Sequence, residues 1–93
     1  MTKKLLEYLK SLNLTVDDVE ILFKLEPALK TADENLVISN IELVIKFGYP
    51  RIDMGAFIQI NPAFLLASQE VLKETLLSLD DVEEELKNNP FLI

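Results

Sequence analysis

The segment Asp18-Val19-Glu20-Ile21-Leu22-Phe23-Lys24-Leu25-Glu26-Pro27 sets a ten-residue pattern. It recurs 35 residues later as Asp53-Met54-Gly55-Ala56-Phe57-Ile58-Gln59-Ile60-Asn61-Pro62. A third version runs from Asp81 to Pro90, after an interval of 28 residues. Each aspartate precedes its proline by nine residues and is followed by Val19, Met54 or Val82. An aspartate in a first helical turn accepts from free backbone N–H groups and suits the positive end of the helix dipole. A proline removes a donor and pushes the residue before it out of the helical region. The pattern therefore predicts three short helices, opened by Asp18, Asp53 and Asp81 and ended by Pro27, Pro62 and Pro90.

The likeness extends beyond these stretches. At the same shift of 35, Ala28 falls on Ala63, Ala32 on Ala67 and Glu7 on Glu42. Leu9 pairs with Val44, Leu12 with Phe47, Leu14 with Tyr49 and Leu25 with Ile60. A period of this length marks a stack of helical units. The units are expected at about 5–39, 40–75 and, in part, 76–93.

Apolar residues recur at spacings of three and four, and only 2 glycines and 4 prolines interrupt them. This predicts helix throughout. Leu5, Leu6, Leu9 and Leu12 form the stripe of a first helix from about Thr2, and Asn13 suits a left-handed C-terminal cap. Thr15 and Asp18 predict a capping box for the second helix, with Val16, Val19, Leu22, Phe23 and Leu25 inward. Thr31 and Glu34 predict another box, opening the longest helix at about Ala32. Its buried side is expected to hold Leu36, Val37, Ile41, Val44, Ile45 and Phe47. Gly48 then ends it, and Pro50 stands near the first position of the next helix. Asp80 is expected to cap the last short helix.

Composition excludes several chemistries. Cysteine, histidine and tryptophan are absent, which removes disulfides, cysteine–histidine zinc sites, thiol nucleophiles and imidazole catalysis. No apolar run approaches the roughly 20 residues that span a bilayer. The start of the chain lacks the apolar core of a signal peptide, and we expect a cytoplasmic protein without membrane attachment. Ser11, Ser39, Ser68 and Ser78 have no histidine to activate them, and no glycine-rich loop exists to hold phosphate. The run Asp80 to Glu85 lacks the spacing and turn glycine of a calcium loop. Helix capping accounts for Asp17, Asp18, Asp80 and Asp81. We expect neither cofactor nor metal, and no enzyme activity.

Charge bears on partners. There are 9 basic and 16 acidic residues, a net of -7. Residues 51–93 carry 3 basic and 8 acidic groups, a field that repels phosphate. The one basic–aromatic group is Lys46, Tyr49 and Arg51, a candidate contact for a nucleic-acid strand. The pairing of Tyr49 with Leu14 instead predicts that its ring packs in the core. The end of the chain, Phe91, Leu92 and Ile93, either folds back on Leu79, Val82 and Leu86 or offers an apolar contact to another chain, a second copy included.

The segment from Phe47-Gly48-Tyr49-Pro50 through Ile60-Asn61-Pro62-Ala63-Phe64-Leu65-Leu66-Ala67-Ser68-Gln69-Glu70-Val71-Leu72 resembles the repeat of the mitochondrial transcription termination factor (mTERF) family. That repeat has an apolar helix, a short turn, a helix ended by proline, and an apolar pair before the next helix. Residues 12–36 are similar, with Lys30 where Leu65 stands, and Asn89-Pro90-Phe91-Leu92-Ile93 looks like the start of a third unit. The resemblance implies an all-α fold, about six short helices in a right-handed array. It also implies nucleic-acid binding along a basic concave face. Here the basic residues do not recur: Lys10 aligns with Ile45, Lys24 with Gln59 and Lys46 with Ser11. The expected function is accordingly a non-catalytic module for macromolecular interaction, with protein as the first candidate partner and nucleic acid as the second.

Overall fold

In a computed structural model, which describes residues 3–93, Pro27, Pro62 and Pro90 each open a 3₁₀ helix. The described residues form α1 (Lys3–Ser11), α2 (Val16–Leu25), a first 3₁₀ helix (Pro27–Lys30), α3 (Glu34–Lys46) and α4 (Arg51–Ile60). A second 3₁₀ helix (Pro62–Leu66), α5 (Gln69–Leu77), α6 (Val82–Asn88) and a third 3₁₀ helix (Pro90–Leu92) follow. There is no strand among the described residues. The expected helix start at Thr2 lies outside the described residues.

The order α, α, 3₁₀ thus occurs three times, and the shift of 35 carries α2 (Val16–Leu25) onto α4 (Arg51–Ile60) end for end. We call these trios units. Their phase differs from the expected one, because cuts after residues 39 and 75 would fall inside α3 and α5. Pro90 closes the third unit rather than opening it.

The backbone explains why the pattern repeats. The residue before each of these prolines takes nearly the same non-helical shape: Glu26 at φ -132, ψ 77, Asn61 at φ -132, ψ 80, and Asn89 at φ -144, ψ 94. Its N–H still donates to the carbonyl four residues back, at 2.9 Å in all three cases. The helix therefore completes its last bond before the proline redirects the chain. The α1–α2 and α3–α4 turns also match. Asn13 (φ 69) and Gly48 (φ 121) are the positive-φ residues among those described. Around them Leu14 N–H donates to Leu9 O at 3.4 Å and Tyr49 N–H to Val44 O at 3.2 Å, the long bond of a Schellman cap.

Some local expectations are corrected. Asp33, not Thr31, caps α3, accepting from Asn35 N–H at 2.9 Å, so the helix starts at Glu34. Thr31 instead ends the first 3₁₀ helix. Pro50 is the cap of α4, one position earlier than expected. Asp81, not Asp80, caps α6; its Oδ1 accepts from Glu84 N–H at 3.1 Å, and Glu85 accepts from its backbone N–H at 3.0 Å. Asp18 stands third in α2, where it completes the capping box with Thr15. Asp53 stands third in α4. Asp81 therefore has a different role, because α6 is three residues shorter than α4.

The core runs through all three units, with Leu5, Leu9, Val37, Ile41, Leu72 and Leu76 supplied by the first helix of each. α3 packs against both α1 and α5. Two buried asparagines link elements. Asn40 Nδ2 donates to the carbonyls of Phe64 (3.2 Å), Leu65 (3.2 Å) and Ala67 (2.9 Å) at the end of the second 3₁₀ helix. Asn61 Nδ2 donates to those of Pro90 (2.8 Å) and Ile93 (3.1 Å) around the third. Short helices leave such carbonyls without partners, and burial makes that costly. Val16 and Leu25, expected inward, are exposed, Leu25 to 61%. On α3 and its C-terminal cap, Leu36, Ile45 and Phe47 are only half-buried.

Gly55 lies in a seam between units, where a Cβ would collide with the carbonyl oxygen of Leu12. Gly55→Ala should therefore lower the unfolding free energy by about 1–3 kcal/mol, as overpacking does. Glu20→Ala, at the matching exposed position of the first unit, should change it by less than about 0.5 kcal/mol. Urea denaturation of both variants checks this.

Candidate interaction surface

The basic–aromatic group at 46–51 separates once folded. Tyr49 follows the left-handed Gly48 and is only 5% exposed. Its ring lies 5.0 Å from that of Phe57, which meets Phe64 edge-on at 5.4 Å. Lys87 Nζ sits 6.0 Å from the Tyr49 centroid. Burial pushes the Tyr49 hydroxyl pKa up. Its ring is part of the core, so the stacking role weighed for it is corrected. Arg51 begins α4 and turns to Glu42 of α3, bonding both carboxylate oxygens at 3.0 and 2.8 Å. Glu42 also accepts from the Tyr8 hydroxyl of α1 at 2.5 Å. Only Lys46 of the three is an exposed cation without such a bond.

A second bridge joins α6 to α4. Lys87 Nζ lies 3.0 Å from Asp53 and 2.8 Å from Glu83. Both carboxylates hold its pKa above the ordinary lysine range. Arg51 and Lys87 are thus committed to internal pairs between helices. Among the described residues, no cluster of three histidine, cysteine, aspartate or glutamate side chains is placed to hold a metal ion.

The exposed apolar side chains form the other candidate surface. Ile52, 78% exposed, with Ala56 and Ile60 at spacings of four, lines the outside of α4. Ile21 and Leu25 do the same on α2, at positions that match Ala56 and Ile60 under the shift of 35. The third unit exposes Leu77 (64%) and Phe91 (67%). Leu92 is exposed as well, whereas Ile93 is half-buried and packs on the core. The backbone at the end of the chain docks on Asn61, while Phe91 stands in solvent.

A groove of about 400 Å³ opens beside α2, lined by Val19, Glu20, Phe23, Lys24 and Lys30. The alternating exposure of α2 and α4 carries no clear signal in the sequence, since a helix apolar on several faces reads as buried. The two asparagines were legible only as polar residues inside apolar runs. No helix among the described residues is long and apolar enough to cross a membrane. Comparison of the chain with protein-family models, with curated proteins and with solved structures finds no match in any of the three.

The Tyr8–Glu42–Arg51 bond set gives a pH prediction. The hydrogen bond from Tyr8, aided by Arg51, holds the Glu42 carboxyl below its ordinary range. A depressed folded pKa stabilises above the unfolded value and is lost as pH falls through the folded one. Tyr8→Phe should cost about 1 kcal/mol at pH 7. The gap to the parent protein should shrink as pH falls below about 4, the ordinary carboxylate range. Denaturation midpoints at pH 7 and pH 3 measure both.

Proposed function

We propose that the chain is a non-catalytic, cytoplasmic interaction module that binds protein, with the third unit providing a surface for self-association. The observation that carries this reading is the distribution of exposed side chains. Large apolar groups stand in solvent on α2, α4 and the third unit, and Arg51 and Lys87 are tied up in internal pairs. Solvent-facing apolar groups that recur at matching helical positions suit an apolar partner helix or segment. Residues 69–93 carry 2 lysines against 7 carboxylates, a net of -5, which disfavours phosphate there.

The second reading is nucleic-acid binding. It rests on the proposed likeness to mTERF repeats, which the threefold order of two α-helices and a 3₁₀ helix supports, and on exposed lysines such as Lys10, Lys24, Lys30 and Lys46. In both readings the units stack as a right-handed array.

Salt separates the two. Phosphate contacts release counterions, so nucleic-acid affinity falls steeply with salt, whereas an apolar contact responds little. We expect labelled single- and double-stranded DNA and RNA to show no anisotropy change at micromolar protein, at low or near-physiological salt. Salt-sensitive binding would move the second reading to first place. For self-association, Phe91→Glu or Leu77→Glu, each at an exposed position, should lower the mass in solution without loss of helical circular dichroism. A parent protein that stays monomeric would sink that part of the proposal.

A further inference from the structure

The groove beside α2 matches a surface that the same chain covers elsewhere. Under the shift of 35, its lining residues Val19, Glu20, Phe23 and Lys30 fall on Met54, Gly55, Ile58 and Leu65. In the second unit all four of those are buried. Part of what covers them is the α1–α2 turn of the unit before, whose Leu12 carbonyl and Leu14 side chain meet Gly55. The next seam has a related form. The α3–α4 turn places Tyr49 against Lys87 of α6, beside a hollow that Leu86 and Pro90 also line. The first and second units therefore each set their inter-helix turn on the second helix of the unit that follows. In the described chain the second helix of the first unit receives no such turn. Among the described residues the turn of the third unit, Ser78 to Asp81, is likewise not set on the second helix of another unit.

These two unmatched surfaces carry opposite charge. Lys24 and Lys30 edge the groove, exposed and outside every ion pair found among the described residues. At the turn of the third unit, Leu77, the last residue of α5, stands in solvent three positions before Asp80, which is also exposed and outside those pairs. We infer that the groove beside α2 receives the α5–α6 turn of a second copy, Leu77 entering between Val19 and Phe23 and Asp80 facing Lys24 and Lys30. The contact joins different surfaces of the two copies, so it is head-to-tail and open-ended. Glu20 keeps the incoming turn further out than Leu12 sits on Gly55, because it carries the Cβ that Gly55 lacks. The joint is looser than the seams inside the chain, and its charge component weakens with salt. This inference rests on the proposal that the third unit drives self-association; it adds the surface that receives it.

The test uses two variants of the full chain, altered only at exposed positions. Lys24→Glu with Lys30→Glu spoils the groove and leaves the turn intact. Leu77→Glu with Asp80→Lys spoils the turn and leaves the groove intact. Circular dichroism first establishes that both are folded. Sedimentation from about 1 to 500 µM at low salt then follows mass. The parent protein should grow beyond 10.6 kDa with concentration. Each variant alone should lose at least about tenfold in association constant, which is about 1.4 kcal/mol. The two mixed should form a dimer and nothing larger, since each supplies what the other lacks. A monomeric parent protein overturns both this inference and the self-association proposal. Association that the groove variant retains and the turn variant loses overturns the inference alone. Loss in both variants with no recovery on mixing also overturns it, because the contact is then not head-to-tail.

Discussion

A helix that must end before a proline without losing its last hydrogen bond is the constraint on which this structure depends. Glu26, Asn61 and Asn89 meet it with almost one backbone geometry. That geometry aims the chain into a 3₁₀ helix, which holds Leu29 or Phe64 against the core and hands the chain on to the next α-helix. The turns before α2 and α4 add the second constraint, a left-handed residue met by Asn13 and Gly48. With both joints set by local backbone chemistry, the stacking of the first two units follows from short-range preferences. Packing then selects among nearby arrangements rather than creating the path of the chain.

The units differ most where they face their neighbours. Gly55 and Leu65 sit inside a seam, and their counterparts Glu20 and Lys30 sit in solvent. A glycine is required only where another backbone approaches as closely as Leu12 does. A charged side chain is tolerated only where nothing covers it. The first unit therefore carries a polar outer edge over an apolar floor of Val19 and Phe23. That edge leaves the floor without the backbone cover that Gly55 receives from Leu12. It also fixes the sign of charge that an incoming segment has to bring.

The helices and their ends were largely readable from residue chemistry, because proline, capping residues and left-handed asparagine or glycine act locally. The boundary errors have local causes too. Thr31 and Asp33 both suit a cap, and the 3₁₀ helix after Pro27 occupies Thr31 first. The spacing from Asp81 to Pro90 imitates that from Asp18 to Pro27, but a shorter α6 shifts the aspartate from the third helical position to the cap. Less readable was which apolar face turns inward. Val16, Leu25, Ile52 and Ile60 have the character of core residues, and only the placement of neighbouring helices leaves them in solvent. The Arg51–Glu42–Tyr8 set was hidden for a similar reason. Its members lie on three helices, 34 and 9 residues apart, and no local pattern joins them.

The acidic run from Asp80 to Glu85 illustrates how structure changes the reading of charge. In the sequence it lacks the spacing and turn glycine of a calcium loop, and Asp80 and Asp81 read as helix caps. Folded, most of it is spent on a helix of 7 residues, far too short to persist alone. Asp81 and Glu85 satisfy free N–H groups at its start, and Glu83 and Glu84 stand at the positive end of its dipole. Glu83 then holds Lys87 one turn on, and Lys87 reaches Asp53 to anchor α6 on α4. Of the six residues, Asp80 alone is an exposed carboxylate outside the helix and its cap. Most of the negative charge of the third unit is thus explained by making a very short helix viable. The residue left over lies three positions from exposed Leu77, and that pairing of one carboxylate with one apolar side chain is what gives the turn its character as a surface.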